Sequence, residues 1–192
     1  MKTRPELIVV DTCVYVDALY TGNARAKGAD EDRARRSSNL LAKIETGEFV
    51  AGLLPIVLTE INSTQQLGTN IPPSTRHQRK KAIDAYFNGY GHITLEHDDR
   101  VAHLGAKLAR QELMKGPDAL VVASAVVHEA FALFSWDKKI LRLQGSALVK
   151  NLKISEPPAR VAPAQGSIFD LLDKEAVLKD FADRAKRSGN SN

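Results

Sequence analysis

The 192-residue chain lacks the features that mark secreted and membrane proteins. It contains one cysteine, Cys13, which excludes an internal disulfide framework and is typical of a protein in the reducing cytoplasm. Beyond the opening residues, its longest apolar run, 119–127, is far shorter than the roughly 20 residues that a membrane span requires. The opening apolar run is also short and is interrupted by Asp11, so we expect no signal peptide. These absences predict a cytoplasmic protein without membrane association.

Signatures of several catalytic classes are missing as well. The five histidines have no zinc-ligand spacing. The chain has neither a Walker-type phosphate loop nor a Gly-x-Ser-x-Gly nucleophile elbow. Cys13 lies beside a predicted buried strand and is interpreted as a small core residue rather than a nucleophile. Zinc, P-loop and serine-hydrolase chemistry therefore have no support in the sequence.

The composition is that of an ordinary globular protein, with 43% hydrophobic and 26% charged residues. A chain of this length can bury a substantial core and suits one large domain, or one domain with an appendage. The formal net charge of +4 permits a polyanionic partner such as nucleic acid without requiring one.

The most informative stretch is the first apolar one, Glu6–Val10, which ends directly before Asp11. It is rich in β-branched residues and does not alternate with polar ones, which predicts a strand buried on both faces of a parallel sheet. In open α/β sheets, ligands bind in the crevice beyond the carboxyl ends of the strands. Asp11 therefore occupies the position where such a fold places its chemistry.

Short strands alternate with longer helices along the chain, which predicts β-α-β crossovers and helices on both faces of a sheet. The expected fold is a three-layer α/β/α domain with a central, mostly parallel sheet of four to five strands. Strands are predicted at 6–10, 49–53, 93–95, 131–135 and 149–154. Residues 21–38 are charge-dense and contain glycine, and we predict a loop there that leads into a helix ending near Gly47.

The domain is predicted to span residues 1–156, because Pro157 and Pro158 follow its last strand. Residues 157–192 are interpreted as a proline-containing linker, an amphipathic helix at about 168–186 and a disordered C-terminus. The amphipathic helix either packs back on the domain or docks on a partner.

Four carboxylates are predicted to share the carboxyl edge of the sheet. They are Asp11 and Asp137 after strands, Glu60 in the helix after the second strand, and Asp118 at the start of the helix that leads into the fourth. In one cleft, ionised carboxylates repel one another and raise one another's pKa. A hard divalent cation such as Mg²⁺ or Mn²⁺ resolves this conflict, because it prefers oxygen ligands and can activate water for attack on a phosphoryl group. Singly, Asp118 and Asp137 are explained as helix-start residues and Glu60 as a solvated one. Asp11 is the hardest to explain in this way, because a carboxylate there gains nothing from the core behind it. The prediction therefore depends on the set of four.

Four short stretches of the sequence, in their order and spacing, resemble the PIN-domain nucleases, in particular toxins of the VapC type. They are Val10–Asp17, Pro55–Ile61, Asp118–Ala125 and Leu133–Lys138. The resemblance covers about residues 5–155. It implies the PIN fold, a ribonuclease activity that depends on Mg²⁺ or Mn²⁺, a homodimer and an antitoxin partner.

The resemblance also implies roles for the residues at the matching positions. The implied catalytic acids are Asp11, Glu60, Asp118 and Asp137, and the implied metal ligands are Asp11, Asp118 and Asp137. Thr12 and Ser135 would supply hydroxyls that hold the carboxylates or the scissile phosphate.

The sequence departs from the family pattern at two points. Cys13 occupies a position where the family often has Asn or Ser, which removes one polar contact to the site. The chain is also longer than a typical toxin, through residues 21–38 and the tail. The extra length weakens the toxin assignment more than the nuclease assignment.

Two further features could contact RNA. Arg76, Arg79, Lys80 and Lys81 form a basic run in the helix predicted at 75–88, which suits phosphate contacts or a solvated helix face. Trp136 could stack on a base or pack within its own loop.

The leading hypothesis is an endoribonuclease that hydrolyses RNA phosphodiester bonds and is the toxin of a toxin–antitoxin pair. The alternative is a non-catalytic RNA- or protein-binding module on the same fold, for which the Cys13 substitution and the long tail leave room. A third hypothesis is a DNA nuclease of the flap-cleaving type, although the sequence shows no added DNA-binding module.

Overall fold

A computed structural model of the protein describes residues 4–20, 29–63, 72–89 and 91–159. A five-stranded parallel sheet forms its centre. The strands are β1 (Glu6–Val10), β2 (Phe49–Leu53), β3 (His92–Thr94), β4 (Ala132–Phe134) and β5 (Lys153–Ser155). Their spatial order is β3-β2-β1-β4-β5, and helices flank the sheet. The predicted α/β class is confirmed, with all five strands parallel.

Seven α-helices lie between the strands in the described part of the chain. They are α1 (Thr12–Tyr20), α2 (Ala29–Glu45), α3 (Pro55–Ser63), α4 (Pro73–Gly89), α5 (Asp99–Gln111), α6 (Gly116–Val127) and α7 (Lys138–Leu141). None of the helices in the described ranges combines the length and apolar character needed to cross a bilayer.

Strand β1 is the central strand of the sheet, and the strands that follow it in the chain are added first on one side of it and then on the other. Its side chains Ile8, Val9 and Val10 are buried, as expected for a strand covered on both faces. The chain first builds outward to β2 and β3, and then crosses back to place β4 on the other side of β1. Strands β1 and β4 therefore flank the topological switch point, where open α/β sheets form their ligand crevice.

The register between β1 and β4 sets the residues at this switch point side by side. Val10 pairs with Phe134, and the amide of Asp11 donates a hydrogen bond of 3.0 Å to the Phe134 carbonyl. The residues that follow, Asp11 and Ser135, leave the sheet together although they are 124 positions apart in the chain.

Helix α2 is longer than the sequence predicted. It begins at Ala29, so the predicted loop at 21–38 is wrong from residue 29 onward, and residues 21–28 lie outside the described residues. The dense charge pairs along the helix, because Arg35 and Arg36 both contact Asp32, three and four residues earlier. Pairs at these spacings stabilise a helix.

The last strand is shorter than predicted. Strand β5 begins at Lys153, and Ala147–Val149 forms a turn of 3-10 helix in place of the predicted start of the strand. Ser146 caps this turn, its hydroxyl oxygen accepting a hydrogen bond from the Leu148 amide. A side chain that bonds the local backbone in this way competes with extended structure.

The chain beyond β5 stays attached to the domain as far as the structure describes it. Pro157 is buried, and its carbonyl accepts hydrogen bonds from Nε (2.8 Å) and Nη2 (2.5 Å) of Arg36 on α2. The helix predicted at about 168–186 lies outside the described residues, as does part of the breaker segment at 68–74. The division into a domain at 1–156 and a separate tail stays a prediction.

Candidate active site

The site begins at the end of β1, where Asp11 is almost fully buried with 7% of its surface exposed. The Ser135 hydroxyl donates a hydrogen bond of 2.6 Å to Oδ2 of Asp11. The same hydroxyl oxygen accepts a hydrogen bond of 2.8 Å from the backbone amide of Asp137. One buried serine therefore orients the acid that follows β1 and the loop that carries the acid after β4.

Cys13 adds a second link between the same two chain segments. Its thiol donates to Oδ2 of Asp11 at 3.1 Å, and its sulfur accepts from the Trp136 amide at 3.3 Å. Burial raises the pKa of the Cys13 thiol strongly, and the negative charge of Asp11 raises it further. The thiol is thus neutral at physiological pH, which argues against a nucleophile. Cys13 packs against the core but is only partly buried and lines the cleft, so it is more than the small core residue that the sequence predicted.

Glu60 reaches the site from α3. The Thr12 hydroxyl, on the first residue of α1, donates a hydrogen bond of 2.5 Å to Oε2 of Glu60. Because Thr12 directly follows Asp11 in the chain, this bond holds the helix carboxylate next to the acid at the end of β1.

Asp118 and Asp137 lie at the starts of two helices and differ in their hydrogen bonding. Asp137 caps α7, its Oδ1 accepting from the Lys139 amide at 2.6 Å. Asp118 lies in the first turn of α6, whose N-cap residue is Lys115, and its carboxylate accepts no hydrogen bond from any described residue. Hydrogen-bonded capping therefore applies to Asp137, whereas Asp118 keeps only the electrostatic explanation, the attraction of a first-turn carboxylate to the helix dipole.

The four predicted acids line one open cleft of about 500 Å³. Its described lining is Asp11, Thr12, Cys13, Val16, Asp17, Glu60, Ser63, Asp118 and Asp137. Thr12 is at the surface of the cleft, while Ser135 is fully buried beneath it and reaches it through Asp11. The structure thus brings together every acid that the sequence singled out.

The electrostatics of the cleft appear most clearly at Asp118. Partial burial raises the pKa of its carboxyl, and the charges of the three other acids raise it further: Asp11, Asp137 and Glu60. Lys115 opposes these effects and lowers the pKa, but the net shift is upward. Negative charge in the cleft is therefore under-compensated by the described residues.

The donors suit a hard divalent cation, since they are carboxylates and hydroxyls. In Asp11, Glu60 and Asp137, one carboxylate oxygen is held by a hydrogen bond and the other accepts none from the described residues. In the same ranges, however, no three His, Cys, Asp or Glu side chains converge closely enough to hold a metal ion as they stand. The acids nevertheless share a cleft, and Mg²⁺, which usually keeps several waters and binds directly to one or two carboxylates, does not need three converged side chains.

None of the residues predicted to contact RNA is part of the described lining of the cleft. Lys80 and Lys81 are exposed on α4 and Arg76 is half-buried there, while the side chain of Arg79 lies outside the described residues. Trp136 is half-buried, and its indole Nε1 donates to the Ser37 hydroxyl at 2.9 Å. RNA contacts by the basic residues of α4 and by Trp136 stay predictions.

No protein-family model and no curated protein matches the sequence. Solved structures do match, among them one described as the crystal structure of FitAcB from Neisseria gonorrhoeae. It is 18% identical to this chain, and the match covers 78% of this chain and 97% of the other with a TM-score of 0.50. FitB is a PIN-domain protein, and the match includes the parallel five-strand sheet. The fold is PIN-like.

Besides Cys13, three residues of the cleft lining were not singled out as site residues: Val16, Asp17 and Ser63. Helical spacing gives a partial signal, because Val16 and Asp17 follow Thr12 and Cys13 by four residues and so share a face of α1. Ser63 likewise follows Glu60 by three residues on α3. Reading the faces of both helices around the predicted acids would have indicated all three.

Proposed function

We propose that the protein is a divalent-metal-dependent endoribonuclease that hydrolyses RNA phosphodiester bonds in this cleft. One observation carries the proposal: four carboxylates from four separate segments line a single open cleft, where partial burial and then the charges of the other three acids raise the pKa of Asp118. Such a charge arrangement is unfavourable for the fold itself, so its natural explanation is the binding of a cation.

In this proposal, Asp11, Asp118 and Asp137 hold Mg²⁺ or Mn²⁺, and Glu60 completes the site. When bound, the cation supplies Lewis acidity toward a phosphoryl oxygen and lowers the pKa of a coordinated water. The chain's own groups orient the acids: the Ser135 hydroxyl holds Asp11, and the Thr12 hydroxyl holds Glu60. In both acids the second carboxylate oxygen accepts no hydrogen bond from the described residues.

An RNA cleavage assay tests the proposal. Wild type is compared with Asp11→Asn, in Mg²⁺ and in chelator, on single-stranded RNA and on DNA of the same sequence. The matched control is Asp84→Asn, which makes the same charge change at an exposed position of α4. We expect Asp11→Asn and chelator to abolish RNA cleavage while Asp84→Asn cleaves like wild type. Equal activity of Asp11→Asn and wild type would remove the catalytic proposal, and preferential DNA cleavage would redirect it.

We further propose that the protein is the toxin of a toxin–antitoxin pair, acts in the cytoplasm and forms a homodimer. The support is the likeness of its fold to FitB, a VapC-like toxin that was crystallised as FitAcB. Expression of the wild-type chain should arrest growth, and Asp11→Asn should not. Co-expression of a small reading frame that neighbours the gene should relieve the arrest, and size-exclusion chromatography should give twice the mass of 21.0 kDa.

A non-catalytic RNA- or protein-binding module is the second candidate. The observation in its favour is that no metal-holding group of three side chains is pre-assembled in the described ranges. RNA binding that persists in chelator, without cleavage products under any divalent cation, would support this candidate.

A further inference from the structure

We propose that Arg33 contacts a phosphate of single-stranded RNA at the rim of the acidic cleft. The inference rests on the proposed function and names a substrate contact for it. The sequence did not predict Arg33 as an RNA-binding residue, because no feature of the neighbouring sequence indicates that it lies near the cleft.

Arg33 reaches the cleft through two contacts. Its Nε and Nη2 lie 3.1 and 2.9 Å from Oδ2 of Asp17, a residue of the cleft lining. Its guanidinium carbon lies 5.1 Å from the centre of the Trp136 ring, and Trp136 directly precedes Asp137. The guanidinium is therefore positioned between the α1 side of the cleft and the loop after β4.

One edge of the Arg33 guanidinium is available to bind a phosphate. Nη1 of Arg33 makes no hydrogen bond to any described residue, and 40% of the side chain is exposed. A guanidinium keeps its charge at all physiological pH values and matches the geometry of phosphate oxygens. Because Asp17 already holds the other edge, the Arg33 side chain would lose little further conformational entropy on binding a phosphate.

Arg36 also lies over the Trp136 ring, but its contacts are those of an arginine with a structural role. It lies 4.8 Å from the same Trp136 ring, but only 17% of its side chain is exposed. Its guanidinium is occupied by the Pro157 carbonyl and the Glu156 carboxylate. Of the two arginines at this ring, Arg33 is the one with an edge open to a ligand.

A positively charged side chain at the rim, such as Arg33, favours the approach of RNA to the cleft. Its lining is dominated by carboxylates, which repel the phosphates of an approaching RNA. An arginine fixed at the rim offsets this repulsion at the point of entry. The Trp136 ring, whose Nε1 is bonded to Ser37, supports the guanidinium in this arrangement.

Binding of a labelled single-stranded RNA, measured by fluorescence anisotropy over a range of salt concentrations, tests the proposal. The measurements use the Asp11→Asn protein so that the RNA stays intact. We expect Arg33→Gln to weaken binding about tenfold and to reduce the slope of log affinity against log salt by about 0.7, the value for one single-stranded phosphate contact. The matched control is Arg35→Gln, on the same helix and 62% exposed, which should change the affinity less than about twofold.

Steady-state kinetics in the protein with Asp11 intact give an independent readout. Arg33→Gln should raise KM about tenfold and leave kcat within about threefold of wild type, because it removes binding shared by ground and transition states. A thermal melt of each variant checks that the fold is retained. If Arg33 served only to neutralise Asp17, the Asp17→Asn/Arg33→Gln double variant would bind RNA like wild type; we expect it to bind as weakly as Arg33→Gln.

The outcomes separate this inference from the proposed function. Equal RNA affinity of Arg33→Gln and Arg35→Gln, in a protein that cleaves RNA, would overturn the role of Arg33 alone. Binding that depends on Arg33 without any cleavage by wild type would overturn the nuclease and keep the phosphate contact. Absence of RNA binding by the wild-type chain would overturn both.

Discussion

The hydroxyl of Ser135 lies 2.6 Å from Oδ2 of Asp11 and donates a hydrogen bond to it. The two residues follow adjacent strands, β1 and β4, and both are buried. The same hydroxyl oxygen accepts the Asp137 amide, so one side chain sets the positions of two acids across the switch point of the sheet. The acidic cleft is thus built on the register between these strands.

Replacing Ser135 by alanine should lower the rate of RNA cleavage by about 10- to 100-fold, because Asp11 and the Asp137 loop lose their shared anchor. Mg²⁺ titration of the cleavage rate measures the effect. The matched control is Ser124→Ala, since Ser124 is equally buried but its hydroxyl has no hydrogen-bond partner among the described residues. Similar losses in both variants would contradict the anchoring role.

Replacing Thr12 by valine should reduce cleavage about tenfold, because the side chain keeps its shape but no longer donates to Glu60. Thr12→Ser retains the hydroxyl and should keep most of the activity. The comparison is made at saturating Mg²⁺, by single-turnover cleavage. A valine variant as active as the serine variant would show that Glu60 needs no support from α1.

In the absence of divalent cations, Asp118→Asn should stabilise the protein. The pKa of Asp118 is raised in the folded state, so the unfolded chain loses this proton first, and stability falls as pH rises between the two pKa values. At neutral pH the charged carboxylate therefore disfavours the folded state, and its removal should raise Tm by on the order of 1–2 °C.

Addition of Mg²⁺ should make wild type more stable to heat than Asp118→Asn. Wild type should gain thermal stability with increasing Mg²⁺, because the ion binds the folded state, and Asp118→Asn should gain much less. Differential scanning calorimetry in chelator and in Mg²⁺ measures both effects. A wild-type Tm that does not respond to Mg²⁺ or Mn²⁺ would argue against a metal site at the cleft.

Two buried groups predict a loss of stability at alkaline pH. Burial raises the pKa of the Cys13 thiol and of the Tyr15 hydroxyl well above their ordinary values. Above about pH 9 for the cysteine and about pH 10 for the tyrosine, the unfolded chain releases a proton that the folded chain retains. The free energy of unfolding therefore falls, by up to about 1.4 kcal/mol per pH unit for each group. Cys13→Ser and Tyr15→Phe should each flatten this dependence in urea unfolding measured from pH 8 to 11.

The same burial should protect Cys13 from alkylation. Iodoacetamide should modify the folded chain much more slowly than the unfolded chain, because the folded thiol is partly buried, donates to Asp11 and has a raised pKa. Cys13→Ser keeps a donor to Asp11 and should retain cleavage activity, whereas Cys13→Ala should lose part of it. Rapid alkylation of the folded protein would contradict the assigned environment.

Much of the fold follows from local pattern in the sequence. The unbroken apolar run of β1 predicts a strand buried on both faces, and the structure places it at the centre of the sheet. Asp98 caps α5 by accepting a hydrogen bond from the Val101 amide, and aspartate is among the residues that capping preferences favour at this position. These features depend on residues close together in the chain, which periodicity and capping preferences describe well.

Helix α2 and Trp136 show where local pattern was insufficient. The predicted loop at 21–38 missed the charge pairs that support the helix from Ala29, and Trp136 contacts Ser37, which is 99 residues away in the chain. No spacing rule within a segment encodes a partner at that distance. Residues such as Arg33 acquire a position near the cleft only when α2 packs against α1 and the loop after β4.

By itself, the sequence determined the α/β class and which acids stand at the ends of strands and the starts of helices, because both depend on local order along the chain. Tertiary structure alone decided which oxygen of each acid is held, which residue holds it, and how far apart the acids stand. The physical reason is that strand order and register bring together side chains as remote as Thr12 and Glu60, or Asp11 and Ser135, and only the packed sheet specifies both.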